Sequence, residues 1–160
     1  MRVLGVDPGF DRLGLAVVEG DASKPTLVWS TCVIPPKGAQ SERLAAVASA
    51  INDAIQHYAP DQLAVETLFF STNRKTALGV AEARGVVLAA AGAAHIPVGE
   101  FSPASVKLAV TGYGSADKTA VARMVPRLVT LPAGNHLDDE LDAIAVAIAG
   151  LSQRTIPSSQ

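Results

Sequence analysis

Four acidic residues stand where carboxylates are expensive unless something shares their charge. Asp7 ends the apolar run Arg2-Val3-Leu4-Gly5-Val6-Asp7, and Glu66 ends a second, Leu63-Ala64-Val65-Glu66. Asp139 and Asp142 open a long apolar helical pattern, three residues apart, which puts both on one helix face. A carboxylate at the tip of a buried strand costs free energy unless its charge is satisfied. Converging carboxylates also repel one another, and a divalent cation is the natural remedy. The pattern predicts a metal-dependent site.

The elements that must position these acids can be read from the spacing of apolar residues. Residues 3–7, 13–19 and 27–34 are apolar and separated by turn formers, which predicts three strands in an antiparallel meander. Ser41 is placed to cap a helix reaching Tyr58, with Leu44, Val47, Ile51 and Ile55 on one stripe. Residues 62–66 read as the next strand, and a polar loop leads into a long helix ending near Ala94. Residues 96–101 read as a fifth strand. Ser102-Pro103 is an N-cap followed by proline at the first helical position. Another helix is expected from about Ala116, kinked or ended by Pro126, and a last one from Asp138 to Leu151. The expected architecture is α/β, a five-stranded mixed sheet with helices on both faces. It forms one domain over residues 1–151, with a flexible tail at 152–160. Asp7 and Glu66 can then lie on adjacent strands, with the last helix bringing its acids to them.

Bulk properties bound the function more loosely. The 160-residue chain is 49% hydrophobic and 18% charged, a globular composition. No run reaches the roughly 18 apolar residues of a membrane span. Asp7 interrupts the first apolar segment too early for a secretory signal, and the lone Cys32 in an apolar run reads as core packing in a reducing cytoplasm. The net charge of −2 argues weakly against nucleic acid. Yet Arg74, Lys75, Arg84, Lys107, Lys118, Arg123 and Arg127 crowd the middle of the sequence, which allows a local basic face.

Five segments taken in order resemble one family. GVDPGFDRLGLAVVE (5–19), AVETLFF (64–70), ARGVVLAAA (83–91), GYGSADK (112–118) and DELDAIAVAIA (139–149) are similar to the RuvC family of Holliday-junction resolvases. The likeness implies a ribonuclease-H-like fold and a homodimer. It also implies a structure-selective endonuclease that nicks four-way DNA junctions using two magnesium ions, with manganese as a substitute. A branch-migration complex, RuvA–RuvB, is the implied partner.

Carried over by resemblance, the family's acidic tetrad falls on Asp7, Glu66, Asp139 and Asp142. Asp7 would bridge the ions, Glu66 would hold one, and Asp139 with Asp142 the other. Asp138 is the alternative to Asp139, and its other reading is a helix cap or first-turn acid. Lys107 and Lys118 match basic positions near the scissile phosphate, where a cation would meet developing charge. Phe69 matches an aromatic that wedges at the junction centre, with Phe70 read as core. Asn73, Arg74 and Lys75 read as DNA contacts. His136 reads as a helix cap in preference to a proton-transfer group.

Three other readings compete. Asp7-Pro8-Gly9 also resembles the phosphate loop of actin-like ATPases, but those enzymes close two such domains around a cleft. A related nuclease acting on RNA–DNA hybrids would share the fold. A junction-binding scaffold without catalysis would not need four acids.

Overall fold

The computed structural model describes residues 1–9, 11–67 and 74–153, apart from the side chains of 74–76. Its elements run β1 (Arg2–Pro8), β2 (Leu13–Asp21), β3 (Lys24–Val33), α1 (Gln40–Tyr58), β4 (Gln62–Glu66), α2 (Arg74–Ala93), β5 (Val98–Phe101), α3 (Pro103–Thr111), α4 (Lys118–Leu128) and α5 (Asp138–Ser152). The sheet order is β3-β2-β1-β4-β5. β1, β2 and β3 form the expected antiparallel meander, while β4 and β5 run parallel to β1.

Alternation along each strand sorts the residues between two layers. Leu4, Val6, Leu13, Leu15, Val17, Leu63 and Val65 are buried with α1 and α2, against Val47, Ile51, Ala54, Val87 and Ala91. Val3, Ala16, Val18 and Ala64 point the other way and are buried with α3, α4 and α5. Because Val3 faces this second layer, period two sends Gly5 and Asp7 there as well. In β4 the same rule sends Glu66 with Ala64.

The second layer is built for close approach. A Cβ on Gly5 would sit 2.3 Å from the carbonyl oxygen of Ala143, and one on Gly14 would sit 1.9 Å from that of Asp139. Both glycines let the α5 backbone lie directly on β1 and β2. Every residue of α5 from Ala143 to Leu151 is buried, sandwiched between the sheet and its neighbouring helices.

Several boundaries differ from the sequence expectation. α1 opens at Gln40 after Ala39, so Ser41 is not its cap, and no side chain caps it. β3 begins at Lys24 and carries Pro25, which an edge strand tolerates because on one side it pairs with no strand among the described residues. α4 opens at Lys118, later than Ala116, because the Asp117 side chain accepts a hydrogen bond from Ala120 N–H at 2.7 Å. Pro126 does not end α4, which continues to Leu128. A proline this close to the C-terminus removes one backbone donor, and the Val129 N–H still bonds Val125 O at 3.1 Å. Residues 154–160, most of the expected tail, lie outside the described residues, and α5 itself reaches Ser152.

Candidate active site

β1 and β4 are parallel neighbours with Val6 opposite Val65, so Asp7 and Glu66 are the next side chains along both strands. They emerge on the α5 face at the carboxyl end of the sheet. α5 starts beside them, its first turn seated on Gly14. A cleft of about 210 Å³ forms there, lined by Asp7, Glu66, Lys107, Lys118 and Asp142 with Val106, Val121 and Ala145 among its apolar walls. Asp139 is not among the residues lining it, and its carboxylate meets Arg12 at 3.4 Å. A groove of about 660 Å³ lies on the opposite layer under Trp29 and Tyr58. It is larger, but it gathers a single carboxylate, Asp53. Charge, not volume, locates the chemistry.

The acids act on one another. Asp7 is pushed up from 3.8 to about 7, first by burial and then by Asp142, Asp139 and Glu66, against the pull of Lys118. Glu66 is raised by burial and by Asp142, with Lys107 and Lys118 opposing. Burial also raises Asp142, although Lys118 donates to it at 2.9 Å and favours its charged form. That bond raises Lys118 in turn. Burial leads in all three acids, and the neighbouring negative charges add to it.

The donor set fits a hard divalent cation, since oxygen ligands are what such ions take and added positive charge would lower the raised carboxylates. Among the described residues no three acidic, histidine or cysteine side chains stand close enough together to hold a metal ion as they lie. The acids share an open cleft and would have to draw together around an ion.

The alternatives at the start of α5 separate by what they touch. The charges of both Asp138 and Asp139 bear on Asp142, but that of Asp139 also bears on Asp7, whereas Asp138 stands 3.9 Å from Lys118. Asp138 is a first-turn acid, because the residue before α5 is Leu137 and no side chain caps the helix. His136 is not a cap either: its Nε2 meets Pro132 O at 2.9 Å and its Nδ1 meets Glu140 at 3.1 Å.

The basic residues divide. Lys107 of α3 and Lys118 of α4 face the acids, and Arg123 and Arg127 are exposed farther along α4. Arg84 is on α2 and pairs with Glu100 of β5, away from the cleft. Phe69, Phe70 and Asn73 lie outside the described residues, as do the side chains of Arg74 and Lys75, whose backbone opens α2.

Three features escaped the sequence reading. Arg12 is placed by a turn in which Gly9 N–H bonds Arg12 O at 2.9 Å, and only that geometry reveals its pairing with Asp139. Cys32 is only partly buried, and the carboxylate of Asp139 helps its burial to raise the thiol. It stands beside the acid cluster because β3 pairs it with Gly14, so core packing is not its setting. Glu140, to which no sequence pattern assigned a role, is buried and accepts a hydrogen bond from Ser30 at 2.6 Å.

A mixed sheet in this order, with acids from two central strands and a covering helix, defines a ribonuclease-H-like fold with the acid cleft of a polynucleotide hydrolase. The family model for crossover junction endodeoxyribonuclease RuvC matches residues 3–150. The chain belongs to the RuvC family. A crossover junction endodeoxyribonuclease RuvC of Moorella thermoacetica is 42% identical over 153 residues, covering 95% of this chain and 92% of its own. One from Thermomicrobium roseum is 43% identical over 148 residues, covering 92% and 91%. The structure of T. thermophilus RuvC in complex with Holliday junction substrate superposes with a TM-score of 0.85 at 34% identity, covering 93% of this chain and 92% of that one.

Proposed function

We propose that this chain is a crossover junction endodeoxyribonuclease that resolves four-way DNA junctions by metal-dependent phosphodiester hydrolysis. It places paired symmetric nicks during homologous recombination and repair. One observation carries the reading: Asp7, Glu66 and Asp142 share a single cleft with Lys107 and Lys118. Cutting a phosphodiester needs oxygen ligands for hard cations and positive groups for phosphate oxygens, and the cleft offers both. The junction-bound Thermus relative supports the substrate class.

Asp7, Glu66, Asp139 and Asp142 would hold two magnesium ions, with manganese as the substitute. Asp139 is preferred to Asp138 because its charge reaches Asp7. When bound, such ions lower the pKa of water and stabilise the attacking and leaving oxygens. The remaining work falls to the chain itself. β1 and β4 hold Asp7 and Glu66 at fixed backbone separation, which limits the rearrangement these acids need to meet substrate. Lys107 beside Glu66 and Lys118 beside Asp142 bring ammonium groups to the site of developing phosphoryl charge. Val106, Val121 and Ala145 keep one wall apolar, which strengthens each charge interaction inside.

Phe69 would stack on an unpaired base at the junction centre, and Asn73, Arg74 and Lys75 would contact the strands leaving it. A homodimer suits a two-fold substrate, one site for each strand. An outward stripe on α2 supports that assembly: Leu78 is 64% exposed, and Ala81, Gly85, Ala89 and Gly92 continue its face. No described helix is long and apolar enough to cross a membrane. The proposed setting is the cytoplasm, with RuvA–RuvB as the partner that moves the junction.

The test is incubation of the purified protein with a fixed four-way junction, a plain duplex and an RNA–DNA hybrid, with each metal in turn. Paired nicks confined to the junction are expected. Preferential cutting of the hybrid, or no metal-dependent cutting of any substrate, would overturn the reading.

A further inference from the structure

We propose that Glu140, although it does not face the cleft, is a positioning residue that latches the first turn of α5 and so fixes Asp139 and Asp142 against Asp7. Among the described residues it is the only charged side chain classed as buried, 8% exposed. A buried carboxylate is costly unless its oxygens are satisfied. Here the Ser30 hydroxyl donates to Oε1 at 2.6 Å, and His136 Nδ1 lies 3.1 Å from the same oxygen. His136 Nε2 faces the Pro132 carbonyl at 2.9 Å. Both ring nitrogens therefore meet acceptors, and a doubly protonated imidazolium satisfies both.

The result is a chain of bonds from edge strand β3, through Glu140, to the loop that enters α5. This linkage matters because the other side-chain ties at the start of α5, Arg12 to Asp139 at 3.4 Å and Lys118 to Asp142 at 2.9 Å, come from exposed cations and engage the site acids themselves. No side chain caps the helix, and Asp138, Asp139 and Glu140 crowd its first turn with Asp142 one turn on. The positive end of the helix dipole favours these charges but does not fix the orientation of the turn. Gly14 lets the turn approach β2 without gripping it. Glu140 supplies the grip, from the residue next to Asp139 and two before Asp142.

The inference rests on the proposed metal-dependent reading of those acids, so its test includes a readout independent of cutting. Mn²⁺ binding is measured by calorimetry, amide exchange is followed over residues 138–142, and single-turnover junction nicking is timed. The variants are Glu140→Ala, Glu140→Gln and Ser30→Ala. Glu140→Ala is expected to weaken Mn²⁺ binding and slow nicking by about tenfold or more, the usual cost of losing a support behind metal-binding groups. Junction affinity should hold, and exchange in the first turn should quicken. Glu140→Gln keeps an oxygen for Ser30 and should recover most of the loss. Wild-type Mn²⁺ affinity, exchange and rate in a folded Glu140→Ala protein would overturn the latch. If that variant does not fold, Ser30→Ala decides, since unchanged exchange over 138–142 would overturn it equally. Weakened Mn²⁺ binding in a protein whose wild type never cuts junctions would sustain the latch and sink the nuclease reading.

Discussion

The two faces of the sheet solve different problems with the same strands. Toward α1 and α2, the strands present Leu4, Val6, Leu13, Leu15 and Val17, large side chains that fill the space between layers. Toward α5, they present Gly5, Gly14, Ala16 and Ala64, so the helix backbone lies almost on the strands. On the first face large strand side chains supply the buried apolar surface, whereas on the second much of it comes from the helices, Val106, Val121, Val125, Ile144 and Ile148 among them. The second gives up that volume and gains position, holding carboxylates from β1, β4 and α5 close enough to raise one another. Both faces carry a buried core, and among the described residues the electrostatic stress falls on the second alone.

The sharpest way to break this comparison is Asp7→Asn. Cutting should fall by roughly three orders of magnitude or more, as for residues that act as a unit in catalysis, while junction binding holds. A variant that cuts at the wild-type rate would remove the central acid from the argument. Next comes a matched pair, Gly14→Ala and Ile51→Ala. The added methyl of Gly14→Ala would collide with the backbone of Asp139, costing about 1–3 kcal/mol through overpacking. Cutting per folded molecule should drop as well, because the helix start must move. Ile51 is fully buried on the other face, and its loss should cost about 2–5 kcal/mol. Folded Ile51→Ala protein should nonetheless cut normally. Urea denaturation and single-turnover cutting measure both quantities. Equal catalytic damage from the two variants would mean the faces are not specialised.

What the sequence disclosed follows the same division. Period-two alternation places Asp7 and Glu66 on one face whatever the loops do, and a spacing of three puts Asp139 and Asp142 on one side of α5. Such patterns are local, so they can be read from a single chain. The long-range contacts cannot. Ser30 and Glu140 are 110 residues apart, and nothing in either segment marks the pair. Arg12 meets Asp139 across 127 residues through a turn whose geometry depends on Gly9. Cys32 reads as core because its neighbours are apolar, but it lies on the edge strand, and burial on an edge depends on what covers it. Helix starts slipped for a related reason: Asp117 outcompetes the residues before it as a cap, a contest decided by side-chain geometry.

A smaller effect sharpens the electrostatic side. Lys107 acts on Glu66 from α3 and pairs with no acid among the described residues, whereas Lys118 donates to Asp142. Lys107→Ala should therefore slow cutting by about 10²-fold, the range for one preorganised charge at a transition state, without changing the fold. Single-turnover rates at saturating metal would show it. An equal loss in junction affinity instead would make Lys107 a binding contact only.

The smallest expected effect reads the stress directly, as stability against pH in the metal-free protein. Asp7 titrates near 3.8 when unfolded and about 7 when folded. Between those values the folded chain holds the extra proton, so stability is full below about pH 4, falls as pH rises, and levels off above about 7. The raised Glu66 and Asp142 push in the same direction. At 1.36 kcal/mol per unit the Asp7 shift sets a ceiling near 4 kcal/mol, and partial exposure reduces the expectation to roughly 1–3 kcal/mol. Urea midpoints in chelator at pH 5 and pH 8 should show the wild type losing stability relative to Asp7→Asn. A divalent ion should restore stability at pH 8 by mass action, and much less at pH 5, where protons compete for the same oxygens. Ile51→Ala should lower the curve equally at both values, because no charge on its face changes. A wild type as stable at pH 8 as at pH 5, relative to Asp7→Asn, would mean that neither burial nor the neighbouring acids raise Asp7.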